Sequence, residues 1–234
     1  MPSLVGSEMC IRDSFYAIGT DHVRYSGHWC QKLGYAPYGK TTKRLYGSEE
    51  AWAEVATSRL KRWNFNLLGA GHSPSCRYRG LAHTEFLSMG SGFASYDALV
   101  EKIHWTGFPN VFSPDWPRWC DKRAWQMCRP NRDDTWLFGY FLDNELEWWG
   151  KKGGAVGLAI SAAKLPADNP AKKALVQLLG DKYGTIARLN AAWGAAYKSW
   201  EDLAAQQEFK ATNSDALRKD QLAFVALAAE RYFK

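Results

Sequence analysis

From Phe15 onward, short apolar runs alternate with segments whose apolar residues recur every three or four positions. FYAIGTDHV (15–23), FNLLGAG (65–71), FPNVF (108–112) and WLFGYFLDNE (136–145) read as strands. Ser48, followed by Glu49 and Glu50, predicts a capped helix running to about Trp63, with Trp52, Val55, Ala56, Leu60 and Trp63 along its apolar face. A second helix is expected over 114–128, with Trp116, Trp119, Cys120, Ala124 and Met127 on one side, and others around 170–183, 185–193 and 215–233. Between 73 and 105 the pattern is weaker, with one apolar segment (81–89) and one short helical pattern (96–103). Glycine-rich loops are expected after 23 and over 150–157.

Alternation of near-continuous apolar strands with amphipathic helices predicts an α/β fold with a parallel sheet. In such sheets, function collects at the carboxyl ends of the strands. Here those ends carry Asp21-His22, then His72, then Asn110, and then Asp143-Asn144-Glu145. The fourth run is the most pointed: seven mostly apolar residues meet two carboxylates and an amide, and Trp148 and Trp149 come soon after. Glycoside hydrolysis needs a carboxylic acid to protonate the leaving oxygen and usually a second carboxylate. Glu145, leaving an apolar strand among aromatics, is expected where burial favours its protonated form, and Asn144 can bind a sugar hydroxyl without competing for the proton. Trp148 and Trp149 would wall a subsite, and His22, His28, His72, Asp21 and Asn110 would contact sugar. The same chemistry leaves two other readings open: Asp143 and Glu145 as strand caps paired with Arg or Lys, or as ligands for Mg²⁺ or Ca²⁺, although no DxDxDG-like spacing supports the latter.

Composition sharpens this only in part. Twelve tryptophans and eleven tyrosines in 234 residues suit both a core and a carbohydrate-binding surface. The net charge of +6 is dispersed, so no nucleic-acid partner is expected. No apolar run approaches the ~18 residues that span a bilayer, so no membrane partner is expected either. The five cysteines show no CxxC pair and no metal-ligand spacing. No metal and no cofactor is expected, GKKGG at 150–154 lacks the Walker pattern, and oligomeric state and compartment stay open, a secreted or periplasmic protein being compatible.

The strand 139–149, GYFLDNELEWW, resembles the fourth strand of clan A glycoside hydrolases, most closely agarases of glycoside hydrolase family 50. RLKRWNFNLLGAG (59–71) resembles their second-strand entry, with Asn64 in place of a glycine. LLGDKYGTIARLNAAWGAAYKSWEDL (178–203) is similar to an element that comes after the acid/base strand in family 42 β-galactosidases. The resemblance implies a (β/α)8 TIM barrel, Asn144 on the substrate 2-hydroxyl, Glu145 as general acid/base of a retaining enzyme, and β-linked galactose-containing poly- or oligosaccharides as substrate. It also implies a nucleophilic glutamate after a seventh strand, which these residues do not supply. The expectation is therefore an incomplete barrel, strands 1–4 with their helices over 15–234, cut before strand 5, with the fragment inactive alone. Residues 1–14, MPSLVGSEMCIRDS, lack signal-peptide features and read as a non-native, adapter-like leader of the kind found in metagenomic assemblies. The alternative of another class is a non-catalytic carbohydrate-binding barrel.

Overall fold

The computed structural model describes residues 15–151 and 153–234, so the leader expected at 1–14 lies outside the described residues. The chain divides into two compact units: residues up to Leu87 together with Trp125–Leu142, and Ser88–Ala124 together with Asp143–Lys234.

The first unit holds a four-stranded, wholly parallel sheet ordered β1 (Gly19–Thr20), β2 (Leu67–Leu68), β3 (Ala82–Phe86) and β6 (Leu137–Phe141). The fold class expected from the sequence is thus present, but its third strand is not the 108–112 run. That place is taken by β3, from the weak segment, where the polar residues His83 and Thr84 are buried. Expected strand 15–23 shortens to two residues because the Asn66 side chain replaces the ladder before them: its Oδ1 accepts from Ile18 N and its Nδ2 donates to Tyr16 O, both at 2.8 Å. Outermost β6 is not the buried strand its composition suggests, for Phe138 is 51% exposed.

Two helices complete this unit. α1 (Pro37–Tyr46) lies within the segment expected to be a glycine-rich loop, started by Pro37 and ended at Gly47. In α2 (Glu49–Arg62), Ser48 accepts from Ala51 N at 3.1 Å, the expected cap. Trp52, Ala53 and Leu60 of α2 pack with Leu68, Cys76 and Leu81 as the core. Trp63, expected on the apolar face, caps the helix instead and is 65% exposed. The next residue, Asn64, has φ 62°, a left-handed conformation that asparagine tolerates better than most residues with a Cβ.

The second unit is mainly helical. The 108–112 run does form a strand, β5 (Phe108–Pro109), but it pairs antiparallel with β4 (Ala98–Val100), which the sequence suggested as helix. α3 (Met89–Ala94), α4 (Trp116–Cys128, whose last turn belongs to the first unit), α5 (Gly157–Lys164), α6 (Pro170–Tyr183), α7 (Ile186–Trp193), α8 (Trp200–Ala205) and α9 (Ser214–Phe233) make up the rest. α6 starts at an Asn169 cap and Pro170, α7 at Thr185, α8 at Ser199 and α9 at Asn213, each cap side chain accepting a backbone N–H.

The element at 178–203 has a structural role here. Asp220 of α9, almost fully buried, accepts from Tyr183 Oη and Trp193 Nε1, both at 2.7 Å, and pairs with Lys182. Asn190 exchanges two hydrogen bonds with the backbone of Tyr197, and Gly194 ends α7 at φ 62°, where a Cβ would meet Thr212 Oγ1 at 2.0 Å. Lys172, wholly buried, donates 2.5 Å bonds to the carbonyls of Ala163 and Gln206 at the ends of α5 and α8, a cation placed against two helix C-termini.

Candidate active site

Within the first unit, Asp21 and His22 come directly after β1 as expected. Asp21 Oδ1 accepts from Ala70 N at 2.8 Å, His22 N donates to Ala70 O at 2.8 Å, and Arg24 Nε donates to Gly71 O at 2.8 Å. The segment after β1 is thereby stitched to the segment after β2, and an oxygen of Asp21 serves that stitch. His22 has φ 57°, is exposed, and its ring lies 5.6 Å from that of exposed His28. An open hollow of about 280 Å³ is lined by Asp21, His22, Arg24, Tyr38, Trp52 and Trp63. Tyr38 and Trp63 are exposed aromatics; the sequence placed Tyr38 in a loop and Trp63 on the apolar face of a helix. His72 does not join this hollow. It is buried, its Nδ1 donating to Gly69 O (3.0 Å) and its Nε2 accepting from Arg77 Nε (3.1 Å), and burial pushes its imidazole below the ordinary value against the pull of the Gly69 carbonyl.

Within the second unit, the chain after Leu142 is fixed by Asp143. Its Oδ2 accepts from Gly90 N at 2.5 Å and Tyr232 Oη at 2.7 Å, and its Oδ1 from Ser91 N at 2.8 Å and Ser91 Oγ at 2.6 Å. The carboxylate thus caps the start of α3, whose own N-cap Ser88 gives no side-chain bond, and ties it to the last turn of α9. Burial first, and then the bond to Asp143, raise the Tyr232 phenol far above its ordinary value. With four donors on its two oxygens, Asp143 is a cap rather than a ligand for Mg²⁺ or Ca²⁺.

Glu145, two residues on, is held differently. Its φ is 53°, a left-handed conformation costing on the order of 1 kcal/mol for a residue with a Cβ. Its carbonyl accepts from Thr106 Oγ1, and the next two residues are anchored by the burial of Leu146 and by the bond from Glu147 N to Gly107 O (3.3 Å). The Glu145 side chain is exposed, as is Asn144, and no described residue bonds to its carboxylate. The apolar enclosure expected around Glu145 is therefore not present here: the turn carries the carboxylate outward.

Two other candidates are corrected. Asn110 is 0% exposed, its Nδ2 donating to Asp97 Oδ1 at 3.1 Å, because β5 belongs to the two-stranded sheet and not to the parallel one. Trp148 is half-buried in an aromatic cluster, 4.5 Å from the Phe108 ring, 5.7 Å from Tyr232 and stacked on Phe233 at 6.3 Å. Trp149 is 62% exposed and keeps a free face. No cue in the sequence separates these neighbouring tryptophans.

No family model matches the chain. Beta-agarase B and beta-agarase A of Vibrio sp. (strain JT0107) are 25% and 28% identical to it over 206 and 224 residues, covering 84% and 86% of this chain. The chain spans 21% and 22% of the length of these relatives. The crystal structure of an agarase, AgWH50C, matches with a TM-score of 0.66 at 26% identity, over 85% of this chain and 29% of that one. In sequence and in fold the chain is similar to β-agarases.

Proposed function

We propose that this chain carries the acid/base part of a retaining glycoside hydrolase acting on β-linked, galactose-containing poly- or oligosaccharides. Glu145 is the general acid/base and Asn144 the partner of the sugar 2-hydroxyl. The observation that carries the reading is the Asn144-Glu145 turn: a strained backbone, anchored on both sides, that presents an unpaired carboxylate directly after the last strand of a parallel sheet. Strain of that kind persists where surrounding structure enforces it, and here the bonds of Asp143 and Thr106 do so. Residues 15–234 form the N-terminal portion of a (β/α)8 catalytic domain, with β1, β2, β3 and β6 as four of its strands. The nucleophile stands on a segment outside these residues. The similarity to agarases and the small share of their length that is matched both support this assignment.

A retaining pair has its carboxyl groups about 5–5.5 Å apart, so turnover needs the second carboxylate as well as Glu145. A polypeptide extended to the length of the relatives is expected to hydrolyse agarose-type oligosaccharides, with nuclear magnetic resonance showing the product anomer retained. The 234-residue chain is expected to give no turnover. Inverted product, or no hydrolysis by the extended form, would discard the proposal. In the latter case measurable oligosaccharide binding would favour the non-catalytic carbohydrate-binding barrel, for which the hollow beside Tyr38 and Trp63 and the free face of Trp149 are the supporting features.

The two tryptophans after Glu145 provide a separate test. Trp149→Ala should weaken oligosaccharide binding by roughly 1–3 kcal/mol with little effect on thermal unfolding, as loss of an aromatic platform does. Trp148→Ala should do the opposite, lowering the melting temperature through the cluster with Phe108 and Tyr232. Calorimetric titration and thermal denaturation of both variants would show whether the roles are reversed.

A further inference from the structure

Strand β3 carries a cluster of titratable groups that the proposed acid/base chemistry does not use. His83 is fully buried, and its Nε2 lies 3.1 Å from Asp134 Oδ2. A carboxylate oxygen only accepts, so Nε2 carries a proton, and the neutral form of the ring has a lone pair on Nδ1. That lone pair lies 3.4 Å from Glu85 Oε1. Both atoms are sealed from solvent, and neither has a hydrogen-bond partner among the described residues. Two buried acceptors facing each other repel unless a cation or proton stands between them.

His72 completes the set. Its Nδ1 gives its proton to the Gly69 carbonyl, which leaves Nε2 as an acceptor. One atom each from His72, His83 and Glu85 lie within 4.8 Å of one another. A carbonyl behind one imidazole and a carboxylate behind the other are the partners that orient metal-binding histidines and fix their tautomers. The Asp134 carboxylate is itself secured, its Oδ2 accepting from Tyr78 Oη at 2.7 Å and its Oδ1 from the Trp136 amide at 2.9 Å. The site's present cation is Arg77. Its Nε faces His72 Nε2 at 3.1 Å, and its Nη2 stands against Glu85 Oε1 as an ion pair without hydrogen-bond geometry. Arg77 comes after a short 3-10 turn, Pro74–Cys76, and its side chain is 23% exposed, so it has a route out to solvent.

We propose that His72, His83 and Glu85 form a binding site for a divalent transition-metal ion of the zinc type, which the Arg77 guanidinium fills in the metal-free chain. Two imidazoles and one carboxylate suit Zn²⁺ and its neighbours rather than Mg²⁺ or Ca²⁺. Bonds of about 2.0–2.2 Å place tetrahedral ligands about 3.2–3.6 Å apart, so the cluster closes by roughly 1 Å at its widest as the guanidinium leaves.

Titration of the metal-depleted chain with Zn²⁺ alone, followed by calorimetry, and with Co²⁺ alone, followed by its visible ligand-field absorption, tests this directly. One ion per chain is expected, with a tetrahedral Co²⁺ spectrum. Arg77→Ala removes a competing like charge and is expected to bind about tenfold tighter or more. His83→Ala should abolish binding. Because that substitution opens a buried strand, Glu85→Gln and circular dichroism of each variant separate lost ligand from lost fold. The proposal is overturned if neither the unaltered chain nor Arg77→Ala takes up metal. It is also overturned if a folded His83→Ala chain binds as before, or if thiolate charge-transfer bands put the ion on a cysteine.

Discussion

Glu145→Gln in a polypeptide of the relatives' length is expected to lower turnover of agarose-type substrates by about two to four orders of magnitude. Glutamine keeps the shape and the left-handed backbone demand of the position but has no proton to give the departing sugar oxygen. An alkoxide leaving group needs that proton, whereas a nitrophenolate hardly does. Aryl galactosides should therefore lose much less in the first chemical step than the natural polymer, and the ratio of the two losses is the diagnostic quantity. Equal losses would mean that the substitution had disturbed the turn rather than removed an acid. Near-normal hydrolysis of the polymer would remove Glu145 from the chemistry altogether. Asp143→Asn is a useful companion, because it perturbs the cap on α3 and the bond to Tyr232 without touching the proposed acid.

Asp220→Ala is expected to destabilise the chain by about 3–5 kcal/mol. The loss comes from what remains: the indole N–H of fully buried Trp193 would face the interior without an acceptor, and the phenol of partly buried Tyr183 would lose its own. Lys182 contributes less, because its side chain is 50% exposed and can turn to water. Lys182→Ala should cost about 1 kcal/mol or less. The hydrogen bond to Asp220 holds the Lys182 ammonium above its ordinary value, so its share is present throughout the neutral range and is lost only as pH rises through that elevated pKa. Chemical denaturation of both variants at neutral pH checks the ordering. Equal effects would mean that the ion pair, and not the buried donors, dominates.

Which elements could be read in the chain depends on how local each cause is. Ser48, Asn169-Pro170 and Thr185 act within one turn of themselves, and the helices they begin were legible. The parallel sheet was legible through its apolar runs. Strand β3 was hidden because its inward positions are His83 and Glu85, whose burial depends on Arg77, 6 and 8 residues before them, and on Asp134, 51 residues after His83. Pattern alone cannot announce a strand whose interior is charged. Residues 98–100 read as helix because their spacing fits one turn, and only pairing with Phe108 and Pro109 decides for a strand. At the candidate site, the position of Asn144 and Glu145 just past a strand was legible from the apolar run before them, while their roles rest on the proposal. Asn110 and Trp148 were not, since burial by α3, α9 and the Asp97 carboxylate is a tertiary fact.

The ties of Asp143 also bear on the order in which the chain matures during synthesis. Its partner Tyr232 lies 89 positions later. While the polypeptide is being made, the carboxylate can cap α3 as soon as it appears, yet the phenol that completes its set of donors emerges only with the last turn of α9. The last of the bonds that fix the residue before the Asn144-Glu145 turn can therefore form only once nearly all of its unit has been made.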